Sequence, residues 1–322
     1  MNAKDLRIVF MGTPEFAATS LKRLVAEGYN IVAVVTSVDK PAGRGRKMHQ
    51  SDVKIAATEL GLPVLQPEKL RAPEFVEAMR QLDADLGIVI AFRMLPEVIW
   101  SMPRMGTFNL HASLLPQYRG AAPINWAIIN GETQTGVTTF LLNREIDKGA
   151  IIDQQTIDIA DNDNVGSIYD KLMNIGAELV INTVDKIASG DYTAVEQMHI
   201  DESTLKPAPK IFKEDCLIDW GAPGRRIVDL IRGLSPYPAA WTHICKQGSE
   251  ATTCKITAAR FEPSTDAVLT TGTISTDGKS WLGVRCSDGT VFVEQVQMAG
   301  KRSMPIREAL AGWRDAAECS MQ

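Results

Sequence analysis

The feature that most restricts the fold of this chain is the alternation of strand-like and helix-like segments over its first two hundred residues. Short apolar runs rich in β-branched residues lie at 6–11 and 31–36, and a helical pattern lies between them. Thr13 and Pro14 suit the N-cap and first position of that helix, and Gly28 suits its end. This order is a βαβ unit, which requires a parallel sheet with helices on its faces.

The same order continues along the chain. Ser51 predicts the start of a second helix that closes at Gly61, Pro73 starts a third, and residues 86–92 are apolar, as in a buried parallel strand. The later segments are a short helix from Pro96, a strand over 108–112, a helix over 123–130, a strand over 137–142 and a helix over 165–188. We therefore predict an α/β fold with a doubly wound, Rossmann-like sheet, whose ligands bind at the carboxyl ends of its strands.

The pattern changes at residue 189. Residues 189–210 are polar and contain prolines, which is typical of a linker. Beyond it, one amphipathic helix over 222–234 precedes short alternating runs separated by turns, the rhythm of a small antiparallel β-barrel. We expect a first domain at 1–188, a linker at 189–210 and a second domain at 211–322.

Composition excludes several classes of protein. No segment approaches the ~20 apolar residues of a bilayer span, and the N-terminal apolar run is too short for a secretory signal, so we expect a cytoplasmic protein without a membrane partner. The five cysteines are odd in number, all lie beyond residue 215 and lack C-x-x-C spacing. Neither a disulfide framework nor a zinc site is predicted, and no metal is expected.

Charge is distributed unevenly along the chain. The net charge of −5 argues against a protein that coats nucleic acid without specificity. From residue 206 onward, however, 15 Lys and Arg face 13 Asp and Glu, whereas the preceding residues hold 19 against 26. The second half is therefore mildly basic, which permits a polyanionic partner without requiring one.

Two polar side chains stand out in the strand over 108–112. Successive side chains of a strand point to opposite faces, so Asn109 and His111 share one face and the apolar residues share the other. A histidine among apolar residues is more often a packed core residue than a catalyst. An amide donor on the same face favours catalysis, because fixed N–H donors stabilise the charge that develops on a carbonyl oxygen.

A candidate carboxylate follows the next predicted strand. Asp147 precedes Gly149 in a loop at a strand end, the usual location of catalytic residues in this architecture. A turn aspartate is the alternative, since Asp-x-Gly turns are common. Glu145 and Asp153 compete with it, although both lie beside residues that would alternate into strands. If Asp147 reaches the face of His111, the site contains a carboxylate that takes a proton and an imidazole that carries charge near neutral pH.

Two other kinds of chemistry lack their motifs. The chain has no G-x-S-x-G, and every cysteine lies beyond the predicted linker, so the nucleophile must come from a substrate. The first βα turn reads FMGTPEF, with one glycine where a dinucleotide-binding turn needs G-x-G-x-x-G. The sheet is therefore not expected to serve a dehydrogenase.

Taken together, these residues resemble the methionyl-tRNA formyltransferases. The similar segments are FNLHASLLPQYRGAAP at 108–123, GTPEF at 12–16, DKPAGRGRK at 39–47, EIDKG at 145–149 and RGLSPYPAAW at 232–241. The resemblance implies a formyltransferase domain followed by an OB-like tRNA-binding barrel. It implies transfer of the formyl group of 10-formyltetrahydrofolate, as co-substrate, to the α-amino group of methionine on initiator tRNA, with no metal and no obligate protein partner.

The resemblance also implies roles for single residues. The catalytic Asn, His and Asp of that family match Asn109, His111 and Asp147, and its folate-contacting stretch matches Ser113, Leu114, Leu115 and Pro116. Two departures are visible. Lys148 stands where the family commonly has threonine, and Arg93 follows Phe92 where an aromatic–glycine pair is usual.

A cationic loop at 39–47 is the predicted tRNA contact. Arg44 best matches the key arginine of the family, and Lys40, Arg46 and Lys47 accompany it. A flexible cationic loop suits phosphate contacts that form on binding. The alternative is a solvated loop without a partner.

Other functions share parts of this pattern. A sugar-nucleotide amine formyltransferase would use the same first domain, a formyl-folate hydrolase would activate water instead of an amine, and a non-catalytic RNA-binding protein would keep only the barrel. Glycinamide ribonucleotide formyltransferase fits less well, since it needs no domain beyond the linker. The cationic loop and the basic second half favour tRNA.

Overall fold

The structure, a computed structural model, describes residues 2–42, 47–197, 201–264 and 270–322. It contains two compact units. The first comprises Met1–Gly120, Thr135–Ile157 and Asp170–Pro207, and the second comprises Ala121–Gln134, Asp158–Tyr169 and Ala208–Gln322. Two short segments of the front half thus belong to the second unit, whereas the predicted domains are continuous segments of the chain. The domain boundaries at 188 and 210 stay a prediction.

Within the described residues, the first unit is built on a seven-stranded sheet and a separate two-stranded hairpin. The strands are β1 (Ile8–Gly12), β2 (Ile31–Val35), β3 (Lys40–Ala42), β4 (Lys47–His49), β5 (Val64–Leu65), β6 (Leu86–Ile90), β7 (Thr107–His111), β8 (Gln134–Leu141) and β9 (Ile151–Asp158). Their order across the large sheet is β5-β2-β1-β6-β7-β8-β9, and β3 pairs with β4. The sheet is built outward from β1 in both directions, which confirms the doubly wound fold.

The sheet is parallel at its centre and antiparallel towards one edge. β1 pairs in parallel with β2 and β6, and β6 with β7. β8 runs antiparallel to β7, with Thr139 opposite Leu110. β8 therefore departs from the parallel direction of the strands that precede it in the sheet. The segment before it, Ala121–Gln134, belongs to the second unit. An antiparallel neighbour does not need the crossover connection that joins parallel strands.

The helices of this half of the chain begin largely where the sequence predicts. They are α1 (Glu15–Ala26), α2 (Asp52–Glu59), α3 (Pro73–Gln81), α4 (Glu97–Trp100), α5 (Pro123–Ile129) and α6 (Val165–Ser189). Ser51 caps α2, since its hydroxyl accepts a hydrogen bond from the Lys54 amide at 3.1 Å. Pro14, rather than Thr13, occupies the N-cap of α1, a shift of one residue that is common at helix ends.

Both faces of the sheet are covered. On one face, a buried cluster that includes Met11 and Val89 packs with residues of α3 and α4. Asn109 pairs with Val89 in register and lies on this same face. On the other face, Gly176 of α6 packs so closely that a Cβ atom there would lie 2.9 Å from the Leu110 side chain. Asn109 and His111 therefore share the α3–α4 face, at the carboxyl end of β7.

The second unit contains an antiparallel barrel. Its later elements are α7 (Gly224–Leu234), β10 (Ala240–Lys246), β11 (Thr252–Pro263), β12 (Ile274–Thr276), β13 (Leu282–Cys286), β14 (Gly289–Met298), β15 (Met304–Pro305), α8 (Ile306–Gly312) and β16 (Cys319–Met321). The strand order is β12-β13-β14-β11-β10-β16. The two edges meet where the Met321 amide donates to the Gly272 carbonyl at 2.8 Å. This near-closure confirms the predicted barrel.

The barrel encloses its own core. Buried side chains of α7, among them Ile227, Ile231 and Leu234, pack with the inward-facing residues of the strands. The five cysteines are free thiols, and all except Cys245 are buried. Within the described ranges, no helix combines the length and the apolar character needed to cross a membrane.

Candidate active site

His111 is held in one orientation at the end of β7. The residue is 8% exposed, and its Nε2 lies 2.9 Å from the carbonyl oxygen of Tyr118. A carbonyl only accepts hydrogen bonds, so Nε2 carries a proton and the other ring nitrogen remains for chemistry. That nitrogen, Nδ1, lies 3.9 Å from Oδ2 of Asp147. The distance exceeds a hydrogen bond but allows direct attraction between the carboxylate and a protonated ring.

The Asp147 carboxylate is fixed by its own backbone and by a neighbouring loop. Its φ of 54° lies in the left-handed region, which a non-glycine residue seldom adopts. Oδ2 accepts a hydrogen bond from the Gly120 amide at 2.9 Å. Tyr118 and Ala91 also have positive φ, at 61° and 45°. Strained backbone of this kind persists only where the surroundings enforce it, and it concentrates at functional sites.

Gly149 explains how the loop after β8 brings Asp147 to His111 although β8 runs antiparallel to β7. A Cβ atom at residue 149 would lie 1.6 Å from the Leu141 carbonyl oxygen. The loop therefore folds back against the end of β8 at a distance that only glycine allows. The Asp-x-Gly spacing positions the carboxylate.

The competing carboxylates lie elsewhere. Glu145 pairs with Lys148, with Oε2 3.1 Å from Nζ. Asp153 pairs with Lys186 of α6 at 2.5 Å. Among the three carboxylates considered from the sequence, only Asp147 lies beside His111.

Asn109 completes the polar face of β7. It lies two residues before His111 and is partly exposed. In the part of the chain that the structure describes, its carboxamide makes no hydrogen bond to another residue. An amide donor without a protein partner is free to bind a substrate oxygen.

The segment 113–116 is rigidly supported. The Ser113 hydroxyl donates to the Gln117 carbonyl at 2.7 Å. The Thr138 hydroxyl donates to the Ser113 carbonyl at 2.6 Å and accepts from the Leu115 amide at 3.1 Å. Because the Ser113 and Leu115 side chains are buried, a folate contact here would use the backbone or the side chains of Leu114 and Pro116. That contact stays a prediction.

Comparison with known proteins identifies the family. A family model described as formyl transferase matches residues 6–184, and one described as formyl transferase, C-terminal domain, matches residues 210–314. The chain belongs to the formyl transferase family. The methionyl-tRNA formyltransferase of Bacteroides fragilis is 55% identical over 314 residues, which cover 97% of each chain. That of Parabacteroides distasonis is 53% identical and covers 99% of each.

A solved formyl transferase structure shares the fold. The N-formyltransferase from Helicobacter canadensis, in complex with folinic acid and dTDP-3-aminofucose, superposes with a TM-score of 0.65. The match covers 91% of this chain and 99% of that one at 18% identity. At this identity the likeness shows the fold alone.

The two departures from the formyl transferase pattern have structural partners. Lys148 binds Glu202 at 2.7 Å as well as Glu145; these carboxylates raise the pKa of Lys148, and Lys148 in turn lowers the pKa of Glu202. Arg93 donates to the Pro67 and Glu68 carbonyls. Arg93 also lines a cavity of about 350 Å³ at the carboxyl ends of β1 and β2.

The predicted tRNA contact of this formyl transferase is only partly described. Lys40 is exposed on β3, and Lys47 lies on the paired strand β4. Arg44 and Arg46 lie outside the described residues. The base of the hairpin is anchored, because Asp39 accepts hydrogen bonds from Lys54 Nζ at 2.5 Å and from a glutamine amide at 2.8 Å. The bond from Lys54 lowers the pKa of Asp39.

Sequence reasoning missed Gln197. Its Nε2 donates to the Asp147 carbonyl at 3.0 Å and to the Gly149 carbonyl at 2.7 Å. Its Oε1 accepts from two nitrogens of the Arg119 guanidinium, at 2.8 and 3.2 Å. Gln197 lies in the segment predicted as a linker, and a single glutamine in a polar stretch carries no sequence signal for this role.

Proposed function

We propose that this protein transfers the formyl group of 10-formyltetrahydrofolate to the α-amino group of methionine on initiator tRNA, giving formylmethionyl-tRNA for translation initiation in the cytoplasm. The observation that carries the proposal is the 55% identity, over 97% of both chains, to a relative named methionyl-tRNA formyltransferase. The arrangement of Asn109, His111 and Asp147 supports it, because these side chains offer hydrogen-bond donors and a proton acceptor.

In this reaction the substrate amine is the nucleophile, so the protein needs only to position the two substrates and to stabilise the charge that develops. An α-amine has a reference pKa of about 8, so a useful fraction is neutral at cellular pH and attacks the formyl carbon. A new C–N bond forms to the amine while the bond from that carbon to N10 of the folate breaks. The amine loses a proton and N10 gains one, which balances the reaction.

The side chains then take distinct roles. The Asn109 amide and Nδ1–H of a protonated His111 hold the oxygen that becomes negative when the amine adds. A well-placed donor of this kind is worth about 3 kcal/mol. Nδ1 is the nitrogen that serves, because Nε2 is bound to the Tyr118 carbonyl. Asp147 stabilises the charged ring and accepts the ammonium proton, directly or through water.

The test is an acceptor assay. The purified protein is incubated with 10-formyltetrahydrofolate and charged initiator tRNA, and formylmethionine is detected after hydrolysis of the ester. A parallel reaction offers a dTDP-linked amino sugar, and a third contains no amine. We expect product only with the charged tRNA. Formylation of the sugar alone, release of formate without an amine, or tRNA binding without turnover would each overturn the proposal in favour of a different function.

The cationic hairpin leads to a prediction about salt. Arg44→Ala is expected to weaken tRNA binding and to lower the slope of log affinity against log salt by about 1, because one phosphate contact and its released counterions are lost. The measurement is a binding titration at several salt concentrations. Arg71→Ala is the matched control, since this arginine is exposed and lies outside the predicted cationic segment 39–47. An unchanged slope for Arg44→Ala would argue against the contact.

A further inference from the structure

We propose that Gln197 is a positioning residue for Asp147, and that residues 195–197 and 201–207, here called the strap, hold the catalytic loops in their working geometry. The inference rests on the proposed formyl transfer, because it assigns no new reaction. It concerns a segment that the sequence presents only as a connection between domains.

Gln197 is placed to fix the backbone on both sides of Lys148. Its amide nitrogen uses both hydrogens, one on the Asp147 carbonyl and one on the Gly149 carbonyl. Its amide oxygen is held by the Arg119 guanidinium. Gln197 is 9% exposed, so water competes poorly for these bonds. All the hydrogen-bonding groups of this side chain are therefore engaged.

The Asp147 backbone needs such support. A positive φ at a non-glycine residue is unfavourable, and the loop relaxes unless other contacts oppose it. The two carbonyls that Gln197 binds belong to this residue and to Gly149, the residue that folds the loop against β8. Loss of both bonds leaves the Gly120 amide as the hydrogen-bond partner that holds the carboxylate itself.

The strap also supports the partner of His111. Val195 and Ile151 exchange backbone hydrogen bonds at 2.8 Å, which secures one end of the strap beside β9. At the other end, the Lys206 carbonyl accepts from the Tyr118 amide at 2.7 Å. The carbonyl of Tyr118 in turn binds Nε2 of His111. The strap thus contacts the loop that carries Asp147 and the loop that orients the imidazole.

Lys148 and Glu202 form a second link between strap and loop, but an exposed one. The Glu202 side chain is 70% exposed and that of Lys148 is 34% exposed. Exposed ion pairs contribute little because water and salt screen them. The buried amide of Gln197 is therefore expected to contribute more than this ion pair to holding the loop that carries Asp147.

The decisive variant is Gln197→Met, which keeps the length of the side chain and removes its donors and acceptor. We expect kcat for formylation to fall about 10- to 100-fold, as displacement of a catalytic group by about 1 Å does. The KM values for folate and for charged tRNA should change less than about threefold. The loop is expected to position a catalytic group and not to contribute to the binding of either substrate. Gln81→Met, the same change at an exposed position, should retain the wild-type rate.

A double-variant cycle separates positioning from a general effect on folding. If Gln197 acts through Asp147, adding Gln197→Met to Asp147→Asn should lower kcat less than about threefold further, since coupled residues are not additive. A full second loss in the double variant would overturn the inference, as would a single variant with wild-type kcat. Should Gln197→Met fail to fold, Gln197→Asn provides the same cycle with the amide retained but shortened. Formylation by the wild-type protein tests the proposed function separately from both outcomes.

Discussion

Replacement of His111 by alanine lowers kcat for formyl transfer by an expected factor of about 10² to 10⁴, the usual contribution of a positioned acid, base or donor. The imidazole is the group in the site that can carry a positive charge beside Asp147. Its Nε2 is hydrogen-bonded to the Tyr118 carbonyl, so the expected loss of activity results from the removal of Nδ1. The measurement is kcat under saturating folate and charged tRNA.

A structural role for the ring requires a second variant. Alanine also leaves the buried Tyr118 carbonyl without its partner, which costs about 1–3 kcal/mol of stability. His111→Gln offers an amide nitrogen near the position of Nε2 and so retains that hydrogen bond, but it has no equivalent of Nδ1. We expect this variant to fold with nearly normal thermal stability and to be as inactive as alanine. Activity within tenfold of wild type would contradict the assignment.

Replacement of Asp147 by asparagine is expected to lower kcat about 10²- to 10³-fold with little effect on tRNA binding. Asparagine keeps an oxygen for the Gly120 amide, so the loop retains its contact and the variant tests charge alone. Without the carboxylate, the negative charge 3.9 Å from Nδ1 of His111 is removed, and in the proposed mechanism the ammonium proton loses its acceptor. The variant is measured in steady-state assays and in a separate tRNA-binding titration.

Glu145→Gln is the matched control for this prediction. It removes one carboxylate from the same loop, two residues away, where the side chain is exposed and paired with Lys148. Surface pairs contribute about 0–1 kcal/mol, so we expect nearly wild-type turnover. If both variants were equally impaired, net loop charge rather than the position of Asp147 would explain the loss.

Much of the first unit follows from local sequence signals. The cap at Ser51, the proline at the start of α3 and the apolar run of β6 act within a few residues, and the structure confirms each. The antiparallel direction of β8 has no such local signal. Side-chain alternation in a strand is the same for both directions, so it carries no signal of this difference.

The sequence predicted the three polar side chains that the candidate site brings together. Asn109 and His111 share a face because alternation requires it, and Asp147 is marked by the glycine two residues later. The groups that orient them are less visible. The Tyr118 carbonyl is a backbone atom that any residue supplies, and Gln197 lies 50 residues beyond Asp147 in a polar stretch. Only the folded chain brings these groups together.

The strap has a practical consequence for dissecting the protein. A fragment that ended at residue 188 would expose the Asp147 and Gly149 carbonyls and the Tyr118 amide to solvent, since their partners lie between residues 197 and 206. A truncated chain that keeps these hydrogen bonds would therefore have to include Lys206, whose carbonyl binds the Tyr118 amide. Truncation designs that follow the change in sequence composition would remove Gln197 and Lys206, the partners of these three backbone groups.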